Sequence, residues 1–190
     1  MRTKSIEKRE ALLNATLNLV NNNGFHATPM SKIAKLAGVS PATIYLYFKS
    51  KQDLINQLYI NSKIAFTKEA FINYDPSMPV KKGFELIWYN IANYKLKQTD
   101  TSSFLAQCET TPMIDSKVRE EALEYFKPLL LLWKRGQQEE IIKPIASHLL
   151  YANAIYPLTF LLSAHKRGDF ILDEKQLKIA FDAAWDSIKQ

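Results

Sequence analysis

The stretch Thr28-Pro29-Met30-Ser31-Lys32-Ile33-Ala34-Lys35-Leu36-Ala37-Gly38-Val39-Ser40-Pro41-Ala42-Thr43-Ile44-Tyr45-Leu46-Tyr47-Phe48 decides the fold. Thr28-Pro29 and Ser40-Pro41 are two identical helix-start signals. Each sets a hydroxyl where it can cap the free backbone N–H groups, followed by a proline that has no N–H to leave unpaired. The first signal opens a helix over about Pro29–Ala37, burying Met30, Ile33, Ala34 and Ala37 and stopping at Gly38. The second opens one over about Pro41–Phe48, with Ile44 and Phe48 inward at i, i+4 spacing. Gly38-Val39-Ser40 is too short a turn for the two helices to run antiparallel. This is helix-turn-helix geometry.

Upstream, a helix over about Ser5–Asn23 carries Leu12, Leu13, Leu17, Leu19 and Val20 and ends at Gly24, with Phe25 as a hydrophobic clasp. Downstream, Ser50-Lys51-Gln52-Asp53 reads as a capping box opening a longer helix to about Phe71, with Leu54, Ile55, Leu58 and Ile64 on it. Asn73–Pro79 is a loop and a domain boundary. Beyond it the pattern predicts helices over about Val80–Gln98, Ser102–Thr110 and Ser116–Gln138 (the last perturbed by Pro128). Two more follow, over about Ile145–Lys166, ended by Gly168, and over about Glu174–Ile188, capped by Asp173 with Gln176. No sustained strand-type alternation occurs, so the chain reads as all-α.

The 190 residues are 47% hydrophobic and 23% charged, which suits a packed chain rather than a disordered one. A single cysteine excludes a disulfide framework and a multi-thiolate metal site, and it fits a reducing cytoplasm. No apolar run follows the charged N-terminus, so it does not read as a secretory signal. The uncharged stretch Ile145–Ala164 is long enough to span a membrane, but Ser147, His148, Asn153, Thr159, Ser163 and Pro157 argue for a buried helix.

Charge is concentrated at one end. Residues 1–51 hold Arg2, Lys4, Lys8, Arg9, Lys32, Lys35, Lys49 and Lys51 against Glu7 and Glu10, so the whole net charge of +6 lies there. The remaining 17 basic and 17 acidic residues cancel. A basic head on a neutral body points to a polyanion-binding module attached to a domain with another task; a solvated basic surface gives the same tally.

The string Gly24-Phe25-x-x-Thr28, Ile33-Ala34-x-x-Ala37-Gly38-Val39-Ser40, Thr43-x-Tyr45-x-Tyr47-Phe48-x-x-Lys51-x-x-Leu54 closely resembles the N-terminal DNA-binding domain of the tetracycline-repressor (TetR) family. The resemblance implies a helix-turn-helix DNA-binding domain over residues 1–50. It also implies a helical effector-binding and dimerisation domain over 51–190, with a linking helix at about 51–72. The implied protein is a homodimeric, cytoplasmic transcriptional regulator, most simply a repressor released from operator DNA by a small-molecule effector. The alternative is a DNA-binding protein with no effector.

By the resemblance, Thr43, Tyr45, Tyr47 and Lys51 meet DNA, with Ser40, Pro41, Ala42 and Leu46 on the same helix or its cap. Pro29 and Leu46 depart from the commoner residues of the family at those positions. Thr43 and the tyrosine hydroxyls can reach phosphates or base edges, and a tyrosine ring can pack on a thymine methyl. Thr28 would cap its helix beside a phosphate. Tyr45 and Tyr47 can equally pack on the first helix, and Arg2 with Lys4 reads either as a DNA-binding arm or as a frayed tail.

In the neutral body, Trp88, Tyr89, Phe104, Tyr125, Phe126 and Trp133 read as core or as the lining of a mostly apolar ligand cavity. Trp88, Tyr89, Phe104, Cys108, Tyr125 and Trp133 are the ligand-site candidates, with Glu85 and Glu109 as further polar groups. The helix over Ile145–Ala164 is apolar all round, and the last helix carries a full stripe through Leu177, Ala180, Phe181, Ala184, Trp185 and Ile188. Together they predict a four-helix dimer interface using Leu158, Phe160, Leu161, Phe181, Trp185 and Ile188.

Catalysis is not indicated. His26, His148 and His165 lack metal-ligand spacing, Cys108 has no nucleophile context, and there is no glycine-rich phosphate loop. No cofactor or metal is expected.

Overall fold

The computed structural model describes residues 5–190, so the arm at Arg2 and Lys4 lies outside the described residues. Among the described residues the ordered elements are eleven helices. They fall into two units. One comprises the described residues of Met1–Ala65 with Gln98–Ala122, the other Phe66–Lys97 with Leu123–Gln190. These divisions differ from the expected 1–50 and 51–190.

The first unit holds α1 (Ile6–Asn23), α2 (Met30–Leu36), α3 (Pro41–Ile44) and the first three turns or more of α4 (Lys51–Ala70). It also holds α6 (Thr99–Thr110) and most of α7 (Ser116–Glu124). α1 ends at Gly24, whose φ of +76° carries little cost without a Cβ. Leu12, Val20, Ile33, Ala34, Ile44, Phe48, Leu54 and Ile55 are buried and form the core of this unit, with Leu13 and Leu58 beside them. Ile64, expected inward, is exposed. Ser50 caps α4 as predicted: its hydroxyl accepts from Asp53 N–H at 3.1 Å, while the Asp53 carboxylate accepts from Lys49 N–H at 2.7 Å.

The segment 98–122 is bound to the head by polar contacts distant in sequence. Gln52 donates to the Met113 carbonyl at 2.8 Å, Asn56 to the Asp115 carboxylate at 2.7 Å, and Asn21 to the Asp100 carbonyl at 2.9 Å. α6 also packs directly along α1. That is why the unit is built from two pieces of chain.

The second unit holds the end of α4, then α5 (Val80–Lys97), α8 (Lys127–Gln138), α9 (Ser147–Ala154), α10 (Tyr156–Arg167) and α11 (Glu174–Ile188). Two expected helices are divided. The 116–138 helix breaks after Glu124, and Pro128 sits in the first turn of α8. The Ile145–Lys166 helix breaks at Ile155, because Pro157 denies the backbone N–H needed to continue and is tolerated only in a first turn. α10 stops at Gly168 with φ +80°, and Asp173 caps α11 by accepting from Gln176 N–H at 2.8 Å. Among the described residues no helix is long and apolar enough to cross a membrane.

Candidate nucleic-acid interface

The recognition helix begins as expected and ends sooner. Ser40 Oγ accepts from Thr43 N–H at 3.3 Å, and Pro41 occupies the first turn. Regular helix covers Pro41–Ile44. Tighter i→i+3 bonds, Leu46 N–H to Thr43 and Tyr47 N–H to Ile44, carry the coil on to Phe48. Two faces result. Thr43, Ile44 and Phe48 are buried and Tyr47 is half-buried, whereas Pro41, Ala42, Tyr45, Leu46 and Lys49 are exposed. The exposed set follows i, i+1, i+4, i+5, i+8, a continuous stripe along one side of the coil.

Three of the residues expected at the DNA have hydrogen-bond partners within the chain. Thr43 turns inward, and its hydroxyl is 2.7 Å from that of Ser40, so one of the two donates to the other. The Tyr47 hydroxyl accepts from Ser5 N–H at 2.9 Å, holding the start of α1. Thr28 is fully buried and does not cap its helix. α2 starts at Met30 with Pro29 at the cap, and the Thr28 hydroxyl donates to the Gly24 carbonyl at 2.8 Å. An inward hydroxyl that pairs locally avoids the cost of a buried unsatisfied polar group.

Lys51 is half-buried. Its ammonium donates to the Phe25 carbonyl and lies 4.2 Å from the centroid of the Phe25 ring, while burial pulls its pKa below the ordinary value. Tyr45 and Leu46 are where the sequence placed them, outward, at 59% and 49% exposure. Sequence reasoning missed Lys49 as a member of the stripe, and Lys32 and Lys35 as exposed cations on the preceding helix. The signal was present: Lys49 stands four residues beyond Tyr45.

The six ligand candidates are divided between the two units. Phe104 and Cys108 belong to the first unit and are fully buried. Cys108 lies near Tyr59, Lys63, Glu109 and Arg119, and burial pushes its thiol up to about 12, which leaves it protonated and unreactive. In the second unit Trp88 is buried and donates to the Ala154 carbonyl at 2.9 Å. Tyr125 is half-buried, and Trp133 is 2% exposed with an indole N–H that has no hydrogen-bond partner. Tyr89 lines a groove of about 470 Å³ between α5 and α11, with Glu85 and Asn93 on one side and Leu177, Phe181 and Asp182 on the other.

The dimer candidates also separate. Leu158, Phe181, Trp185 and Ile188 are buried within their own unit: Phe181 packs on Trp88 and Tyr89, and Trp185 on Phe84. These four side chains offer little surface to a partner, and the rings of the α11 stripe pack on α5 instead. Phe160 is 66% exposed and Leu161 half-buried. Leu149, Tyr156, Ile171 and Ile179 are exposed apolar neighbours in sequence that were not foreseen.

Residues 12–58 match the profile of the bacterial regulatory proteins, tetR family, and residues 79–189 that of the tetracyclin repressor-like C-terminal domain. The fold superimposes on the crystal structure of a TetR family transcription regulator from Marinobacter aquaeolei VT8 with a TM-score of 0.90 and 26% identity, over 97% of this chain and 96% of the other. An HTH-type transcriptional regulator from Haemophilus influenzae is 24% identical over the full length of both chains. The fold also resembles the regulator FadR from Bacillus subtilis, solved in complex with stearoyl-CoA, with a TM-score of 0.69 and 20% identity over 94% of this chain and 97% of that one.

Proposed function

The chain belongs to the tetR family and is a DNA-binding transcriptional regulator rather than an enzyme; from that premise we propose that it acts as a dimeric repressor released from its operator by a small-molecule effector. The observation that carries the reading is the exposed stripe Pro41, Ala42, Tyr45, Leu46 and Lys49, set in the segment that holds the entire net positive charge. The stripe enters the major groove, and Lys49, Lys32 and Lys35 neutralise flanking phosphates.

Dimerisation is supported by exposed apolar side chains on helices that pack on one another: Leu149 on α9, Tyr156 and Phe160 on α10 and Ile179 on α11. The partner uses the same face, so the operator is a two-fold repeat. The effector part of the reading is supported by the Trp133 indole N–H, a buried donor that a polar group on a ligand can take. A relative of the same fold binds an acyl-CoA. The competing reading, a regulator without an effector, is favoured by the tight packing of Trp88 and Phe104.

Selection from a random duplex library with the full-length chain supplies the operator, and fluorescence anisotropy with a panel of apolar and acyl compounds then decides. A two-fold symmetric duplex released by at least one compound, with quenched tryptophan emission, supports the proposal. A symmetric duplex that no compound releases favours the effector-free regulator. An asymmetric site bound by a monomer refutes the dimer.

A further inference from the structure

The recognition stripe contains little hydrogen-bonding chemistry. Of the hydroxyls on this coil and its cap, those of Ser40 and Thr43 bond to each other and that of Tyr47 holds Ser5, which leaves the Tyr45 hydroxyl, at the tip of an exposed ring, as the polar group of the stripe before Lys49. From Pro41 to Leu46 the outward residues are a proline ring, a methyl group, a phenol ring and a branched alkyl group. No guanidinium, amide or carboxylate stands among them, although those groups make the bidentate contacts that distinguish guanine, adenine and cytosine. The ammonium of Lys49 comes at the far end of the stripe, beside the start of α4 and away from the N-terminal half that leads into the groove.

Apolar groups can still read sequence. In the major groove each base pair presents a distinct edge, and thymine alone carries a C5-methyl. Covering that methyl with a side chain removes apolar surface from water on both partners. Leu46 and Tyr45 have the area to do so, at 49% and 59% exposure, and Ala42 lies one turn earlier on the same side.

We infer that this regulator recognises its operator chiefly through thymine methyl groups, with Ala42, Tyr45 and Leu46 as the residues that touch them. The inference rests on the DNA-binding reading above and specifies its chemistry. The half-site it requires is rich in A·T pairs where the stripe lies, and discrimination comes from shape and apolar contact rather than from donor–acceptor pairing.

The test replaces thymines of the selected operator, one at a time, with deoxyuridine. This removes one methyl and leaves every hydrogen-bonding group of the base pair in place. The expected result is a loss of about fourfold in affinity at each contacted thymine, from the burial of one methyl group, and no change at the others. In the variants Leu46→Ala and Tyr45→Ala the penalty at the matching thymine disappears, because the partner of that methyl is gone. Both side chains are exposed, so the variants keep the fold, and the uracil series needs no variant at all.

A duplex with all thymines replaced that binds within twofold of the original overturns the inference and leaves the DNA-binding reading standing. Penalties that persist undiminished in Leu46→Ala, Tyr45→Ala and Ala42→Gly overturn it as well. Selection that enriches no duplex overturns the DNA-binding reading, and the inference falls with it.

Discussion

Removing Glu109 should cost far more than a surface carboxylate would. Lys63 on α4 is 7% exposed, its ammonium 3.8 Å from a Glu109 carboxylate oxygen on α6 and 5.5 Å from the centroid of the Tyr59 ring. At that separation the attraction is about 1 kcal/mol in water and about 4 kcal/mol at the effective dielectric of a protein surface. Burial lowers the Lys63 pKa from its ordinary value, the Glu109 carboxylate pulls it back up, and Arg119 lowers it further. In Glu109→Gln the ammonium stays buried without that counter-charge, and we expect a loss of about 3 kcal/mol. Lys63→Met should cost less, since the Glu109 side chain keeps 24% exposure to water. The double variant Lys63→Met/Glu109→Gln should return close to the wild type, giving a coupling energy of about 3 kcal/mol or more.

Urea midpoints at constant slope measure all four corners of this cycle. There is also a pH signature. A lysine whose folded pKa lies below its unfolded value of 10.5 binds fewer protons when folded, so stability rises with pH across that window. The wild type should therefore gain on Lys63→Met as pH climbs from the lowered folded value towards 10.5. A coupling below about 0.5 kcal/mol, or a wild type that loses stability relative to Lys63→Met as pH climbs through that window, refutes the reasoning.

Two further outcomes follow from the side-chain placements. Lys49→Ala should weaken operator and random DNA alike and reduce the salt slope by about 1, as measured by titration at several salt concentrations. Lys51→Ala, which loses the Phe25 carbonyl and ring, should instead lower the melting temperature, by about 1–2 kcal/mol of stability. In sedimentation, Phe160→Glu should give a folded monomer, because the side chain is 66% exposed. Trp185→Glu, at 7% exposure in the core, should unfold its unit and aggregate, and an intact monomer from it would contradict that burial.

Helix starts and stops were legible because their causes are local. Ser40 with Pro41, Ser50 with Asp53 and Asp173 with Gln176 act within four residues, and Gly24 and Gly168 stop helices through their own φ. What the sequence hid depends on partners far along the chain or on the direction of one rotamer. Nothing near Tyr47 says that its hydroxyl meets Ser5, and nothing near Thr28 says that it turns back to Gly24. The α11 stripe was read correctly as apolar and assigned to the wrong neighbour: periodicity gives the face, not what covers it. Pro157 was visible and its effect underestimated, so one long helix was expected where two short ones form.

The two-piece make-up of the first unit has a consequence for how the chain is born. Met113, Asp115 and Asp100, which bind Gln52, Asn56 and Asn21, are translated well after residue 65. At about 5–20 residues per second, some 3–11 seconds pass between the emergence of residue 65 and that of residue 122. During that interval α1 to α4 stand without α6 against them. The head that binds DNA is thus completed only after α5, a helix of the other unit, has already left the ribosome.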